Sequence, residues 1–548
     1  MWQRNLLFIS LGVAGLAALG SRLLSNDPIV QPTKFDATRY ERPDIRIALQ
    51  QVDDEFEASW KEKGLSSAGT ADDLIIARRL SLGLTGTIPS LEEVRVLQSL
   101  PENQRLEWWI SRLLEDRRYS DYVAERLARS YVGTDNGPFI VYRRRRFVTW
   151  LSDQLLENKP YDQMVRELIS DKGIWTNSPS VNFLTVTLDE GNKGKPDAIR
   201  LAARTTRAFL GMRIDCLQCH DDNLGTMSLG SENDSRTGLQ SDFHHLAAFY
   251  GGTKFSLFGV TDGKDDYKYQ YLHADKEEII EPRPPFAEEL LPDEGTQREK
   301  LAAWVTSDQN RPFARAMVNR MWAMMFGKPL VEPIDSIPLF GEYPPGLEAL
   351  ADDFVKHDYD LQHLIRMIAG TKAFQLSSRA DFEVTQAHED AWAVFPITRL
   401  RPEQMAGGII QAASLTTIDA ESHIISQLIR FNEQNQFIKR YGDTGEDEFE
   451  DRAGTIAQRL LMMNGELVKE RSQPNPFLNA TTRISVLAPT DEKAVETSYL
   501  TVLSRLPTAE EQSHFAKLLS GTKGDDRSKC LEDLYWVLVN STEFSWNH

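Results

Sequence analysis

Cysteine is scarce in this chain, with three in 548 residues, so two that fall together at a set spacing mark a site. Basic residues are outnumbered, 62 Lys and Arg against 81 Asp and Glu, for a formal charge of −19. Phosphate binding needs basic surface, which argues against nucleic acid as a partner. Past the N-terminus no segment approaches the roughly 20 apolar residues of a membrane span. No G-x-S-x-G, Walker or H-E-x-x-H element occurs, and no pair of carboxylates is nominated for hydrolysis. No catalytic residue is assigned, and enzyme activity has no residue-level support. Hydrophobic content of 41% and charged content of 26% are those of a soluble globular protein. The length suits two or three domains.

What is present is Cys216-Leu217-Gln218-Cys219-His220. C-x-x-C-H is the spacing of covalent haem attachment, in which both thiols add to the haem vinyl groups and the adjacent histidine is the proximal iron ligand. Two other chemistries share it: a metal site built on Cys216, Cys219, His220 and a distant ligand, and a Cys216–Cys219 disulfide stiffening a loop. No βαβ pattern surrounds it, which disfavours a thioredoxin-like role. The sequence names Met212, Met227, His244 and His245 as distal ligands if haem is bound. The third cysteine, Cys530, sits in an ordinary helical pattern.

Arg4 precedes an apolar stretch from Leu6 to Gly20, with a small-x-small site at Ala18-Leu19-Gly20. This pattern predicts a secretory signal, an uncleaved N-terminal anchor being the alternative. The expected location is the periplasm or cell envelope, which agrees with haem attachment and equally with a disulfide.

Helical periodicity dominates the rest. Helices are expected over Asp72–Leu84 (stopped by Gly86), Gln104–Leu114, Tyr119–Tyr131, Phe147–Asn158 and Pro196–Leu210. The last would carry its proline in the first turn and hold the cofactor at its C-terminal end. Ser90 and Glu93 read as a capping box. Asp242–Tyr250, Arg298–Thr306, Phe313–Phe326, Leu347–His357, Leu361–Thr371 and Arg401–Ala413 follow. Ser228–Gly238 and the acidic Tyr441–Asp451 read as loops. One helical phrase is echoed: Arg79–Leu84 leading into Pro89-Ser90-Leu91-Glu92-Glu93, and Tyr499–Leu506 leading into Pro507-Thr508-Ala509-Glu510-Glu511. The fold class is mostly α: two packed helical domains with irregular loops and one helical module at both ends. The divisions are 1–27 (signal or anchor), 28–276, a proline-rich linker at 277–295, and 296–548. Arg143–Arg146 read as a solvated ring on a helix, Trp322 with its neighbouring methionines as core, and Asp262, Asp265 and Asp266 as a weak cation candidate.

Five phrases carry a family resemblance. Ala208–Asp215 before the motif and Asp242–Phe249 after it resemble the planctomycete cytochrome-C-like domain of the DUF1549 type. Arg311–Trp322, Phe326–Asp335 and Leu538–Phe544 resemble the DUF1553 domain. The resemblance implies an exported, mostly helical, two-domain protein. Such chains commonly continue the motif with Asp-His-Pro-Phe, whereas Asp221-Asp222-Asn223-Leu224 stand here, which weakens a Cys/Cys/His/His metal site more than it weakens haem. Larger relatives add an N-terminal cytochrome-c-like module, where this chain has only about Asp27–Ser66, without cysteine. The expected function is electron transfer or haem binding, with an unidentified redox or envelope protein as partner and membrane contact only through an N-terminal anchor. The alternative is a structural or interaction protein of the envelope whose motif is a disulfide or metal staple, with no cofactor or with a metal ion.

Overall fold

The computed structural model describes residues 31–548 except 135–136, 139–140, 190–194, 232, 257, 273, 420–421, 423, 443–448, 450–453 and 474–478. The N-terminal signal or anchor and most of the acidic 441–451 segment therefore lie outside the described residues. The chain is mostly α. Its first helices are α1 (Pro43–Glu62), α2 (Asp73–Thr85), α3 (Leu91–Ser99), α4 (Glu102–Leu114), α5 (Arg117–Val132), α6 (Arg144–Leu156) and α7 (Tyr161–Ser170). Then come α8 (Ala198–Thr205), α9 (Gln240–Ala247), α10 (Gln297–Val305), α11 (Arg311–Phe326), α12 (Leu347–Lys356) and α13 (Leu361–Gly370). The C-terminal part holds α14 (Pro402–Ala412), α15 (Ile424–Tyr441), α16 (Ile456–Asn464), α17 (Glu466–Ser472) and α18 (Ala480–Leu487). It closes with α19 (Asp491–Leu503), α20 (Ala509–Leu519) and α21 (Gly524–Val539). Among the described residues no helix is long and apolar enough to cross a membrane.

Local rules account for many boundaries. Asp72 caps α2 by accepting from the Leu74 amide at 2.8 Å. Gly86 ends it in the left-handed region (φ 65°), where a Cβ would run into the Tyr122 ring. The Ser90–Glu93 capping box opens α3, with both hydrogen bonds made.

Three local expectations are corrected. Pro196 is not in a first helical turn: it pairs with Leu188 in the two-residue ladder of β1 (Leu188–Asp189) and β2 (Lys195–Pro196). Asp197 is the cap of α8 instead, accepting from the Arg200 amide. Ser228–Gly238 is not a plain loop but contains a hairpin of β3 (Ser228–Ser231) and β4 (Asp234–Thr237), Ser228 opposite Thr237. Leu229 is its one buried anchor among polar neighbours, too little apolar alternation to be read as strand. The third, the site's place on its helix, is taken up below. Further two-stranded ladders are β5 (Thr253–Ser256) with β6 (Gly259–Asp262), β7 (Lys268–Tyr269) with β8 (Glu278–Ile279), and β9 (Thr398–Arg399) with β10 (Trp546–Asn547).

Burial divides the chain into two cores. The larger runs from Ile45 to Phe395, takes in Leu500, and joins residues on both sides of 277–295. Tyr161 stacks on Phe313 at 5.0 Å and Phe56 on Trp322 at 5.7 Å. Phe286, from the proline-rich segment itself, sits in this core against Trp304. The methionines around Trp322 are buried here, as is most of their helix. The second core gathers Leu400 to Phe544 and takes Leu82 and Ile88 from the N-terminal part.

Those two residues belong to the echoed module, which is real in three dimensions. α2 ends at left-handed Gly86 and is followed by the Ser90–Glu93 box; α19 ends at left-handed Ser504 (φ 55°) and is followed by a Thr508–Glu511 box. Each unit closes on a capped corner with a fully buried ring three residues past the cap: Asp116 with Tyr119, Ser541 with Phe544. The copies touch, because Arg78 donates to the main-chain oxygens of Val502 and Phe544.

Candidate functional site

α8 does not deliver its C-terminal end to the motif. It widens into a π turn at Thr206–Leu210 and stops at Gly211 (φ 62°). The Gly211 carbonyl accepts from the Ile337 amide at 2.8 Å, and a Cβ there would press on Ile337 and Ala316. Glycine is thus required by both conformation and close approach. The motif sits on its own 3-10 turn, Asp215–Gln218, with Cys219 just after it. Leu217 is fully buried and pins the turn; a Cβ on Gly238 would lie 2.7 Å from it. Cys216, Cys219 and His220 are all exposed, and the three cysteines of the chain are free thiols. His220 Nδ1 lies 2.8 Å from the Asp221 carbonyl. A carbonyl only accepts, so Nδ1 carries the proton and Nε2 keeps its lone pair for a ligand.

α9 clamps the turn from behind. The Gln218 carbonyl accepts from Gln240 Nε2 at 3.0 Å and from His244 Nε2 at 3.1 Å. Because that carbonyl fixes Nε2 as the donor, a neutral His244 accepts at Nδ1, where the Tyr267 hydroxyl lies at 3.0 Å. The ring stacks on Tyr269 at 3.5 Å and meets Tyr271 edge-on at 5.7 Å. His244 therefore holds the motif through its backbone, with both nitrogens engaged. His245 donates to the Glu281 carbonyl. Met212 is buried in the large core, and Met227 is half-buried against it. Of the four distal candidates, His244 hydrogen-bonds the motif's backbone.

Burial holds the pKa of His244 below its ordinary value; the nearby His245 also lowers it, while the bond to Gln218 works the other way. A histidine depressed in the folded state contributes stability that is full above its unfolded value of about 6.5 and is lost as pH falls through and below it. Lowering the pH from about 7 to 5 is expected to reduce amide protection across 215–220, taken relative to the intrinsic exchange rate at each pH, because a charged His244 can no longer accept from Tyr267. In His244→Gln that acid dependence should vanish. An unchanged pH profile in the variant would refute the assignment.

The acidic pair after His220 has local work. Asp221 accepts from the Gln240 amide at 2.7 Å. Asp222 accepts from the amides of Met227 (2.6 Å) and Leu224 (3.2 Å) and from the Thr226 hydroxyl. These bonds, the Met227 amide foremost, hold its carboxyl below the usual range.

From the other side the loop is held by the C-terminal family phrase. Asp335 takes Arg207 Nε at 3.0 Å on one oxygen and Arg213 Nε at 2.6 Å on the other, bracketing the motif's approach. Burial works against the Asp335 charge, but Arg213 and Arg207 together keep its carboxyl below the ordinary range. Asp215, next to Cys216, goes the other way: burial raises it, Asp335 adds to the rise, and Arg207 and Arg213 oppose. Asn319 on α11 sets the stage by bonding the Val331 amide (3.0 Å) and the carbonyls of Val331 and Ile334.

Cys216, Cys219 and His220 do not belong to any set of three donor atoms within 4.8 Å among the described residues. Asp262 is engaged by Arg298 and Lys172, and Asp265 by Lys195 and Lys254, so both serve ion pairs. In the Arg143–Arg146 run, Arg145 and Arg146 are exposed while Arg144 bonds Glu125 and the Gly133 carbonyl. Sequence reasoning missed Gln240, Asp335 and its two arginines, and the tyrosine cage. Tyr267-x-Tyr269-x-Tyr271 did carry a signal, a period of two that sets three rings on one face.

The site defines a class: a mostly helical chain that presents an exposed C-x-x-C-H turn, gripped by α9 on one side and by the loop after α11 on the other. The family models agree with this layout. PSCyt2, a protein of unknown function (DUF1549), matches residues 51–250, and PSD1, a protein of unknown function (DUF1553), matches residues 297–447. The chain belongs to the proteins that join a PSCyt2 to a PSD1 domain in this order. No curated protein and no solved structure matches it.

Proposed function

We propose that this chain is an exported electron-transfer or haem-binding protein carrying one c-type haem on Cys216 and Cys219, with His220 as proximal ligand. One observation carries the reading: both thiols and the imidazole are exposed on a single pinned turn, yet they do not converge as a single-ion site requires. Haem attachment asks for no such convergence, since the thiols bond the ring periphery and only the imidazole reaches iron. The donor set therefore fits haem better than it fits a compact metal staple. Bound there, haem would supply one-electron exchange at its iron.

The protein's own contribution is positional. The Asp221 carbonyl fixes the His220 tautomer and frees Nε2. Leu217, Gln240 and His244 hold the backbone between the two cysteines. The basic and apolar segment at residues 1–20 supports export, with a redox or envelope protein outside the cytoplasm as partner.

The test is expression with a c-type maturation system, followed by a pyridine haemochrome spectrum. About one covalent haem per chain is expected, lost in Cys216→Ala/Cys219→Ala and still attached in His220→Ala with altered iron ligation. A colourless, folded chain beside a matured control cytochrome would overturn the proposal. A thiol count on that colourless protein would then separate a disulfide from a metal staple.

A further inference from the structure

A second ligand set lies in the PSD1 region. Asp353 stands on the last turn of α12, His357 follows one turn later, and α13 brings back His363. The return is tight: Asp358 and Tyr359 both take left-handed backbone (φ 53° and 57°), which is uncommon outside glycine. Tyr359 is held there by Phe313 and Phe354, and Asp360 fixes the start of α13 by accepting from the His363 amide at 2.8 Å. His363 Nε2 is thereby set 2.6 Å from Asp353 Oδ2, while His357 Nδ1 lies 3.2 Å from Asp353 Oδ1 and 2.9 Å from the Asp353 carbonyl, which makes Nδ1 a donor and leaves Nε2 its lone pair. The two imidazoles stack at 3.9 Å. One donor atom from each residue lies within 4.8 Å of the others, the only such group among the described residues.

The donor chemistry is specific. Two imidazoles with one carboxylate suit a borderline transition-metal dication, whereas calcium and magnesium need mainly oxygen. Three protein ligands leave a coordination position free. His357 and His363, though not Asp353, line a cavity of about 300 Å³ whose charged groups are Arg39, Arg42, Lys356 and Arg366 against Asp44, Asp358 and Asp360. Arg39 and Arg366 share Glu107, and Arg42 meets Asp44. The carboxylates offset these cations, so the cavity's charge does not exclude a dication.

We propose that Asp353, His357 and His363 bind a zinc-class divalent ion with one coordination position left open. The site is separate from the C-x-x-C-H motif and does not depend on the haem reading.

The test uses the full chain as Cys216→Ser/Cys219→Ser, stripped with a chelator and titrated with Co²⁺, whose visible absorption reports coordination. One Co²⁺ per chain is expected, displaced by Zn²⁺. His363→Gln and His357→Gln should each weaken binding by about 100-fold or more, beyond the loss typical of an outer-shell change. His357 is the more exposed of the two histidines, so its variant gives the readout if His363→Gln fails to fold. Uptake that is absent, or equal in parent and His357→Gln, would overturn the site.

Discussion

Arg79→Ala is expected to destabilise the chain by about 4 kcal/mol, an effect that reaches the exceptional range for one substitution. Arg79 is 1% exposed, on α2 in the first copy of the repeated module. Its guanidinium donates to the main-chain oxygens of His548 (2.8 Å), Phe374 (2.9 Å) and Leu376 (2.8 Å). The charge also lies 3.6 Å over the Phe395 ring. Burial alone pulls its pKa down to about 9, so carbonyl dipoles and an aromatic face do the solvating. Charge-assisted bonds of this kind contribute about 1.5–3 kcal/mol each, and truncation strands three acceptors beside a new void. Arg79→Lys should recover only part, because an ammonium lacks the planar fork that reaches carbonyls in different directions. Denaturant midpoints for the parent and both variants check this. A loss below about 1 kcal/mol in Arg79→Ala would contradict it.

Asp335→Ala is expected to cost about 3 kcal/mol, toward the lower end for breaking a buried ion pair. Its side chain is 8% exposed, while Arg207 and Arg213 are 32% and 42% exposed, so water offsets part of the loss. The local consequence is larger: with the brace gone, the segment from Arg207 to Leu217 should lose amide-exchange protection while α1 and α4 keep theirs. The Asp335 carboxyl is depressed, so its stabilisation is present above the unfolded Asp value near 4 and is lost as pH falls through that range. The parent should therefore loosen at this segment in acid, and Asp335→Ala should be loose at every pH. Uniform loss of protection across the whole large core would show that Asp335 serves global packing and not the motif.

Both residues stood in phrases that were visible as patterns, yet their roles were not. Arg79 opens the echoed phrase and Asp335 closes a family phrase. What neither phrase names is the partner: Arg79 bonds a residue 469 positions away and Asp335 one 128 positions away. The C-x-x-C-H turn shows the same split. Its spacing announced a site, but the reading of His244 as an iron ligand stopped at its type; its contacts make it a brace on the Gln218 carbonyl. The Asp353, His357 and His363 set escaped notice because Asp353 and His363 lie on different helices and His357 in the turn between them.

The sequence by itself determined what acts within a few residues: helix stretches, the Ser90–Glu93 and Thr508–Glu511 boxes, the stop at Gly86, and the side-by-side thiols and imidazole. Each follows from hydrogen bonds and steric limits spanning three or four positions. Tertiary structure alone decided that residues on both sides of 277–295 share a core, that the two copies of the module meet, and that the motif is gripped between α9 and Asp335. Those outcomes rest on apolar burial and long-range charge pairing, which choose partners by shape in the folded chain and leave no fixed spacing in the sequence.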